Sequence, residues 1–450
     1  MSTLKIHPVA CALRGEVTLP SDKSISHRSL IFAALGWGRS KLTRFSYGED
    51  NVSTLKAMRA MGVTIEDDGQ GTVIVDGVGL DGLRAGGELE CGNSGTTMRL
   101  LCGVLAAQHF QTRLVGDASL SARPMLRVAG PLRQRGAIID GRPHPKRTGD
   151  ITAPLEIGPI ARGAKLSAIE YALPMSSAQV KSALLLSGLY ADGPTFVSEP
   201  LLSRDHTERM MHALGIPLET AGPTVRLSPP GNPHAWSGFE VDLPGDLSAA
   251  AFPLVAAAIV PGSQVTTLNT GTNPTRTGIC DILKHLGAHL SIEPHGDVLG
   301  EPLGSLTVRG QGTLHGARVG GEVAVRAIDE IPIACALAAR AKGTTEFTDV
   351  AELRVKESDR IATMAALLRT FGIECEEQPD GLRIEGQPDG PLKAARFASK
   401  GDHRIAMTAA VLGLVANGPT LIDDAECIAT SFPGFTNMLR SLGAEVEVSE

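Results

Sequence analysis

The chain has 450 residues, 42% of them hydrophobic and 20% charged, which is globular composition over a length that predicts two domains rather than one core. Aromatic residues make up 4% and the net charge is −7, which argues against stacked single-stranded nucleic acid and polyanions but leaves room for a local basic pocket. Seven scattered cysteines without a CxxC pair, an amino terminus without a long apolar run, and an apolar maximum "AAAFPLVAAAIVP" too short for a bilayer predict a soluble cytoplasmic protein with neither disulfide framework nor zinc site.

The first element is a helix opening in "LPSDKSISHRSLIFAAL" from Leu19, with Lys23, His27 and Arg28 in its first turns. A helix start behaves as about half a positive charge, so cations there are mildly unfavourable unless they point into water or an anion sits among them. "LKAMRAMGVTIE" then reads as a helix, a glycine stop at Gly62 and a strand. The match of "GVGLDG" to a dinucleotide-binding fingerprint is dismissed, because "LRAGGELE" follows it and makes a poor helix. "GNSGTTMRLL" opens another helix, with Gly95 where backbone N–H groups can approach an anion. "SARPMLR" carries Arg123 toward an outer helix that stops at Gly136.

"SSAQVKSALLLSGLY" is an almost wholly apolar, hence buried, helix whose Lys181 is expected to snorkel outward. "SRDHTERM" places Arg204 at an outer helix that ends at Gly215. "LPGDLS" at Leu243 echoes "LPSDKS" and precedes a second apolar helix, after which Arg276 in "NPTRTGI" reads as solvated or paired with a nearby acid. Ile279, Ile282, Leu283 and Leu286 form a helical stripe up to Gly287. Asp329 starts the apolar "IDEIPIACALAA", where N-capping is its ordinary role; "VKESDRIATM" puts Lys356, Glu357 and Arg360 on an outer helix, with a local ion pair as the ordinary role of Glu357. "GDHRIAM" sets His403 and Arg404 at one more buried helix start, and helices ending at Gly372 and Gly443 complete the series.

The helix–glycine–strand phrase thus recurs six times at intervals of 71 to 85 residues. An α/β fold follows: two domains of three βαβαββ-type repeats, buried helices inside and sheets outside, an inside-out α/β barrel. Residues 1–20 with 244–450 are expected to form one domain and 21–243 the other, with a hinge near 20 and 244. If the helix starts of each domain converge on one face, two such faces closing on each other make a positive cleft. Each cation alone has an ordinary solvated or paired role; their recurrence favours a site for two small anions, at least one phosphorylated. Arginine suits such groups by bidentate contact, lysine can also deliver a proton, and a carboxylate beside them can accept or donate one.

The segments "LPSDKSISHRSLIFAAL", "GNSGTTMR", "GDASLSARPM", "SSAQVKSALLL", "AELRVKESDRIA" and "GDHRIAM" are similar, in order, to the signatures of the 5-enolpyruvylshikimate-3-phosphate synthase family, the 3-phosphoshikimate 1-carboxyvinyltransferases. The resemblance runs from Leu19 to Phe435 and implies the two-domain fold above. It implies transfer of the enolpyruvyl group of phosphoenolpyruvate to the 5-hydroxyl of shikimate 3-phosphate with release of phosphate, through a tetrahedral intermediate in a closed interdomain cleft. In that scheme Asp329 is the base at the 5-hydroxyl, while Glu357 and Lys23 move protons to and from the methylene carbon and the leaving phosphate. Lys23, Ser24, Arg28, Ser177, Gln179, Arg204, Asp329 and Lys356 would hold shikimate 3-phosphate. Lys23, Gly95, Arg123, Gln179, Arg360 and Arg404 would surround phosphoenolpyruvate. No cofactor or metal is implied, nor nucleic acid or membrane, and a monomer is expected.

Thr430, Glu352 and Leu201 stand where many members have lysine, asparagine and tyrosine, as in the divergent branch that includes members poorly inhibited by glyphosate; Gly95 is the residue of sensitive members. A sister enzyme acting on a UDP-amino sugar is the nearest rival, disfavoured by the absence of cysteine in "GDASLSARP" and by "DKSISHR". A ring-shaped nucleic-acid clamp is the other, disfavoured because the buried helices are basic only at their starts.

Overall fold

The computed structural model describes residues 2–449. Among these the strands form six four-stranded sheets, all on one plan. In one of them Glu88–Glu90 runs parallel to Thr112–Val115, which pairs antiparallel with Ile151–Gly158, which pairs antiparallel with Ile138–Pro143. A parallel pair needs a crossover. The buried helix Gly95–Leu105 supplies it, and the outer helix Leu126–Gln134 leads into the final hairpin. This is the expected βαβαββ repeat. The sheets stay separate, and no hydrogen-bonded barrel closes among the described residues.

The six glycines that punctuate the sequence end six outer helices with φ between 74° and 100°, the left-handed conformation that a side chain resists. Elsewhere a glycine permits close approach. A Cβ on Gly103 would lie 2.2 Å from the Ala183 carbonyl oxygen, so the helices Gly95–Leu105 and Ala178–Gly188 meet backbone to backbone there.

The chain divides into two compact units. The terminal unit comprises Met1–Pro20, Pro244–Gly296 and Pro302–Glu450; the central unit comprises Ser21–Leu243 and Asp297–Glu301. The expected boundaries kept all of 244–450 together, and the short segment Asp297–Glu301 departs from them. Its Glu301 carboxylate is buried against His206 at 2.8 Å, and its Val298 and Leu299 pack on the central apolar cluster. Each unit completes sheets with strands distant in sequence. In the terminal unit Thr3–Ile6 lies between Thr420–Asp423 and Val446–Ser449, and in the central unit Glu240–Asp242 runs beside Trp37–Thr43.

Three helices fill the core of each unit: Lys23–Leu35, Gly95–Leu105 and Ala178–Gly188 in the central one, Leu247–Ile259, Ile331–Ala339 and His403–Gly413 in the terminal one. They are buried on nearly every side, so their polar and cationic residues collect at the starts, where the chain enters from a loop. No helix among the described residues is long and apolar enough to cross a membrane.

Candidate active site

In the central unit Asp22 accepts the Ile25 N–H and starts the helix Lys23–Leu35. Lys23 Nζ lies 2.9 Å from Asp50 Oδ2, in the first turn of the helix Glu49–Ala60. Arg28 is buried; it donates from Nε to Thr207 Oγ1 (2.7 Å), from Nη2 to Ser182 Oγ (2.8 Å) and from Nη1 to the Ser24 carbonyl (3.0 Å). Burial lowers its pKa to about 10, against the pull of Glu208 and with the push of nearby Arg204, so it stays cationic at neutral pH. His27 is held well below the usual imidazole range by burial, then by Lys23 and Arg28. It is a neutral ring sharing a hydrogen bond with Thr54.

A Cβ on Gly95 would sit 2.7 Å from Arg99 Nη1 and 3.1 Å from Arg123 Nη1, so two guanidinium groups converge on this helix start. Arg99 donates to Gln179 Oε1 (2.6 Å), Gln179 Nε2 to Thr96 (2.9 Å), and Arg123 to Asn93 Oδ1 (2.6 Å). The Thr97 hydroxyl donates to the Asp50 carbonyl and ties this group to the Lys23–Asp50 pair. Ser177 occupies the cap position of Ala178–Gly188 with its side chain buried but not capping, and Arg204 is half-buried just before the helix His206–Ala213.

In the terminal unit Asp329 Oδ1 is 3.5 Å from Lys356 Nζ and 3.6 Å from Arg360 Nη1, and its backbone oxygen accepts from Arg404 Nη1 at 2.9 Å. Arg360, fully buried, reaches Glu357 Oε2 at 2.7 Å and Asp402 Oδ2 at 2.9 Å. Burial works against its charge, but Asp402, Glu357 and Asp329 outweigh that and push its pKa up. The Asp402 carboxyl is held below the usual range: burial opposes, and Arg360 prevails. Five of the expected residues, Asp329, Lys356, Glu357, Arg360 and Arg404, therefore form one connected polar cluster.

The structure departs from several local expectations. Lys181 does not snorkel. It is 1% exposed and clamped between Glu199 (2.6 Å) and Glu208 (2.7 Å), whose attraction more than offsets the burial that would lower its pKa. Asp329 is not a cap, because the helix Ile331–Ala339 starts after Glu330 and Asp329 lies in the preceding turn. Lys356 and Glu357 precede their helix, which begins at Arg360 under an Asp359 cap; Arg123 likewise ends a short 3-10 turn ahead of its helix. Arg276 is buried and pairs with Asp246 (3.3 Å) and Glu330 (3.6 Å), far from it in sequence.

Arg99 was not anticipated, although it stands four residues after Gly95 in "GNSGTTMRLL" and so shares its helix face. Asp50, Asp402, Ser182 and Thr207 gave no such signal, since each acts on a cation brought near by packing.

Each unit carries three repeats, and cations gather at several of the buried helix starts, Lys23 and Arg28, Arg99, and Arg404 among them. A family model described as EPSP synthase (3-phosphoshikimate 1-carboxyvinyltransferase) matches residues 10–439. Proteins named 3-phosphoshikimate 1-carboxyvinyltransferase are similar over almost their whole length. The one from Geobacter sp. (strain M21) is 51% identical over 98% of this chain and 99% of its own, and that from Alkalilimnicola ehrlichii 48% over 96% and 94%. A solved structure of EPSP synthase from Acinetobacter baumannii superposes with a TM-score of 0.87 at 44% identity, covering 100% of both chains. The chain belongs to the EPSP synthase family.

Proposed function

We propose that the two clusters divide the work of one reaction. As a member of this family the protein is a transferase: it moves the enolpyruvyl group of phosphoenolpyruvate to the 5-hydroxyl of shikimate 3-phosphate and releases phosphate. Nothing found favours the UDP-amino sugar or nucleic-acid alternatives. In the proposed assignment Lys23, Ser24, Arg28, Ser177, Gln179, Arg204 and Lys356 bind shikimate 3-phosphate, while Lys23, Gly95, Arg123, Gln179, Arg360 and Arg404 bind phosphoenolpyruvate. Asp329 accepts the 5-hydroxyl proton as that oxygen bonds to the carbon bearing phosphate, and the methylene carbon gains a proton to become methyl. Elimination then breaks the carbon–phosphate oxygen bond, and the methyl gives a proton back. Glu357 and Lys23 carry these last transfers.

The observation that carries the assignment is the set of cations around Asp329, with Lys356 and Arg360 at its carboxylate and Arg404 at its carbonyl. Fixed cations stabilise charge on phosphate and carboxylate oxygens without reorganising, and they offset the repulsion between two anionic reactants. A phosphate-release assay tests it: release requires both substrates. Release with phosphoenolpyruvate and UDP-N-acetylglucosamine, but not with shikimate 3-phosphate, would overturn it. The finer reading is a monomer working in the cytoplasm; the seven free cysteines fit a reducing compartment and leave the monomer to be tested by the mass in solution.

A further inference from the structure

Beside the Asp329 cluster lies a buried circuit that the reaction as described does not use. Asp246 Oδ1 accepts from the Ser248 N–H at 2.8 Å and from Arg276 Nη2 at 3.3 Å. Arg276 Nη2 is also 3.6 Å from Glu330 Oε1, and the Ser248 hydroxyl donates to that same Glu330 oxygen, which closes the ring. Arg404 joins it at one point, donating from Nη1 to Ser248 Oγ at 2.8 Å, with Glu330 Oε1 3.8 Å away. All five residues are buried.

Glu330 stands in the cap position of the helix Ile331–Ala339 yet makes no capping bond; its carboxylate turns inward instead. There it faces two buried guanidinium groups, whose mutual repulsion in a poorly solvated interior is offset only if a carboxylate lies close to both. It also sets the direction of a hydrogen bond. A serine hydroxyl has one hydrogen, and the Ser248 oxygen is left to accept from Arg404 when that hydrogen is spent on Glu330.

We infer that Glu330 is a positioning residue: through Ser248 it fixes the Arg404 guanidinium against the Asp329 carbonyl, in the orientation that receives phosphoenolpyruvate. This rests on the reading of Arg404 as a phosphoenolpyruvate ligand. Arg404 spends one nitrogen on Ser248 and the Asp329 carbonyl, so the fork is anchored at that end, and a fork anchored in advance loses less freedom when it binds an anion.

The experiment compares Glu330→Gln, Ser248→Ala and Arg404→Lys in the full-length enzyme by steady-state kinetics for each substrate, with thermal unfolding alongside. Glu330→Gln keeps the volume and removes the charge. It is expected to raise KM for phosphoenolpyruvate about tenfold, equivalent to about 1.4 kcal/mol, while KM for shikimate 3-phosphate stays within about twofold and kcat changes less than KM. Ser248→Ala is expected to act in the same direction and more weakly. The double variant is expected to be no worse than Glu330→Gln alone, because both act through one contact. If Arg404→Lys raises KM for phosphoenolpyruvate while the other two leave it at the wild-type value, the positioning role is overturned and the site reading stands. If Glu330→Gln raises both Michaelis constants equally with a lowered unfolding midpoint, Glu330 is structural and the inference also falls. If Arg404→Lys leaves KM for phosphoenolpyruvate unchanged, the reading of Arg404 fails and takes the inference with it.

Discussion

A side chain added at Gly95 has to displace the ends of Arg99 and Arg123, which lie 2.7 and 3.1 Å from where its Cβ would be. These are tips of flexible chains, so Gly95→Ala is expected to fold normally and to raise KM for phosphoenolpyruvate several-fold, measured by varying that substrate at saturating shikimate 3-phosphate. Titrating the wild type and the same variant with glyphosate at fixed phosphoenolpyruvate reads whether turnover is sensitive to that compound and whether any sensitivity depends on this space. Asp329→Ala removes the proposed base but leaves Arg404 bonded to the backbone oxygen, so the fold is expected to persist while turnover falls at least about a hundredfold. Full activity would remove Asp329 from the mechanism. Lys181→Met is a stability test. It strands Glu199 and Glu208 in the interior, and breaking a buried ion pair in this way costs about 3–5 kcal/mol, read as a lowered unfolding midpoint.

Helices in this protein are held apart by very little. The Gly103–Ala183 contact joins two buried helices, and Gly103→Val is expected to destabilise the central unit by at least about 1–3 kcal/mol through overpacking, checked by urea unfolding. Helix starts also impose a pH dependence. His27, in the second turn of Lys23–Leu35, has its folded pKa pushed well below 6.5, so the folded state holds a neutral ring where the unfolded chain takes up a proton. Its contribution is present above pH 6.5 and is lost as the pH falls from there toward the lower folded value. His27→Gln is expected to flatten the fall of the unfolding midpoint between about pH 6.5 and 5, above the range where most carboxylates titrate; an unchanged slope would contradict it.

At the scale of the whole molecule, strands remote in sequence finish the sheets. Thr3–Ile6 is an inner strand, so removing residues 2–9 unpairs Val446–Ser449 and exposes the sites filled by Leu4 and Ile6, costing about 3–6 kcal/mol for those two side chains alone. Low soluble yield and a depressed unfolding midpoint are the expected readouts. The sequence by itself determined the repeated architecture, because each outer helix must stop at a residue tolerating positive φ, and the six regularly spaced glycines declare that requirement locally. It also determined which helices are buried and which cations stand near their starts, since hydrophobic periodicity and helix ends are properties of neighbours along the chain. What only the tertiary structure decided is the partner of each cation: Lys23 with Asp50, Arg28 with Ser182 and Thr207, Lys181 with two glutamates, Arg276 and Arg404 with Glu330. Those partners lie 18 to 179 residues away. A buried charge is tolerated only where packing brings its complement, and the order of residues along the chain does not state which distant carboxylate or hydroxyl that will be.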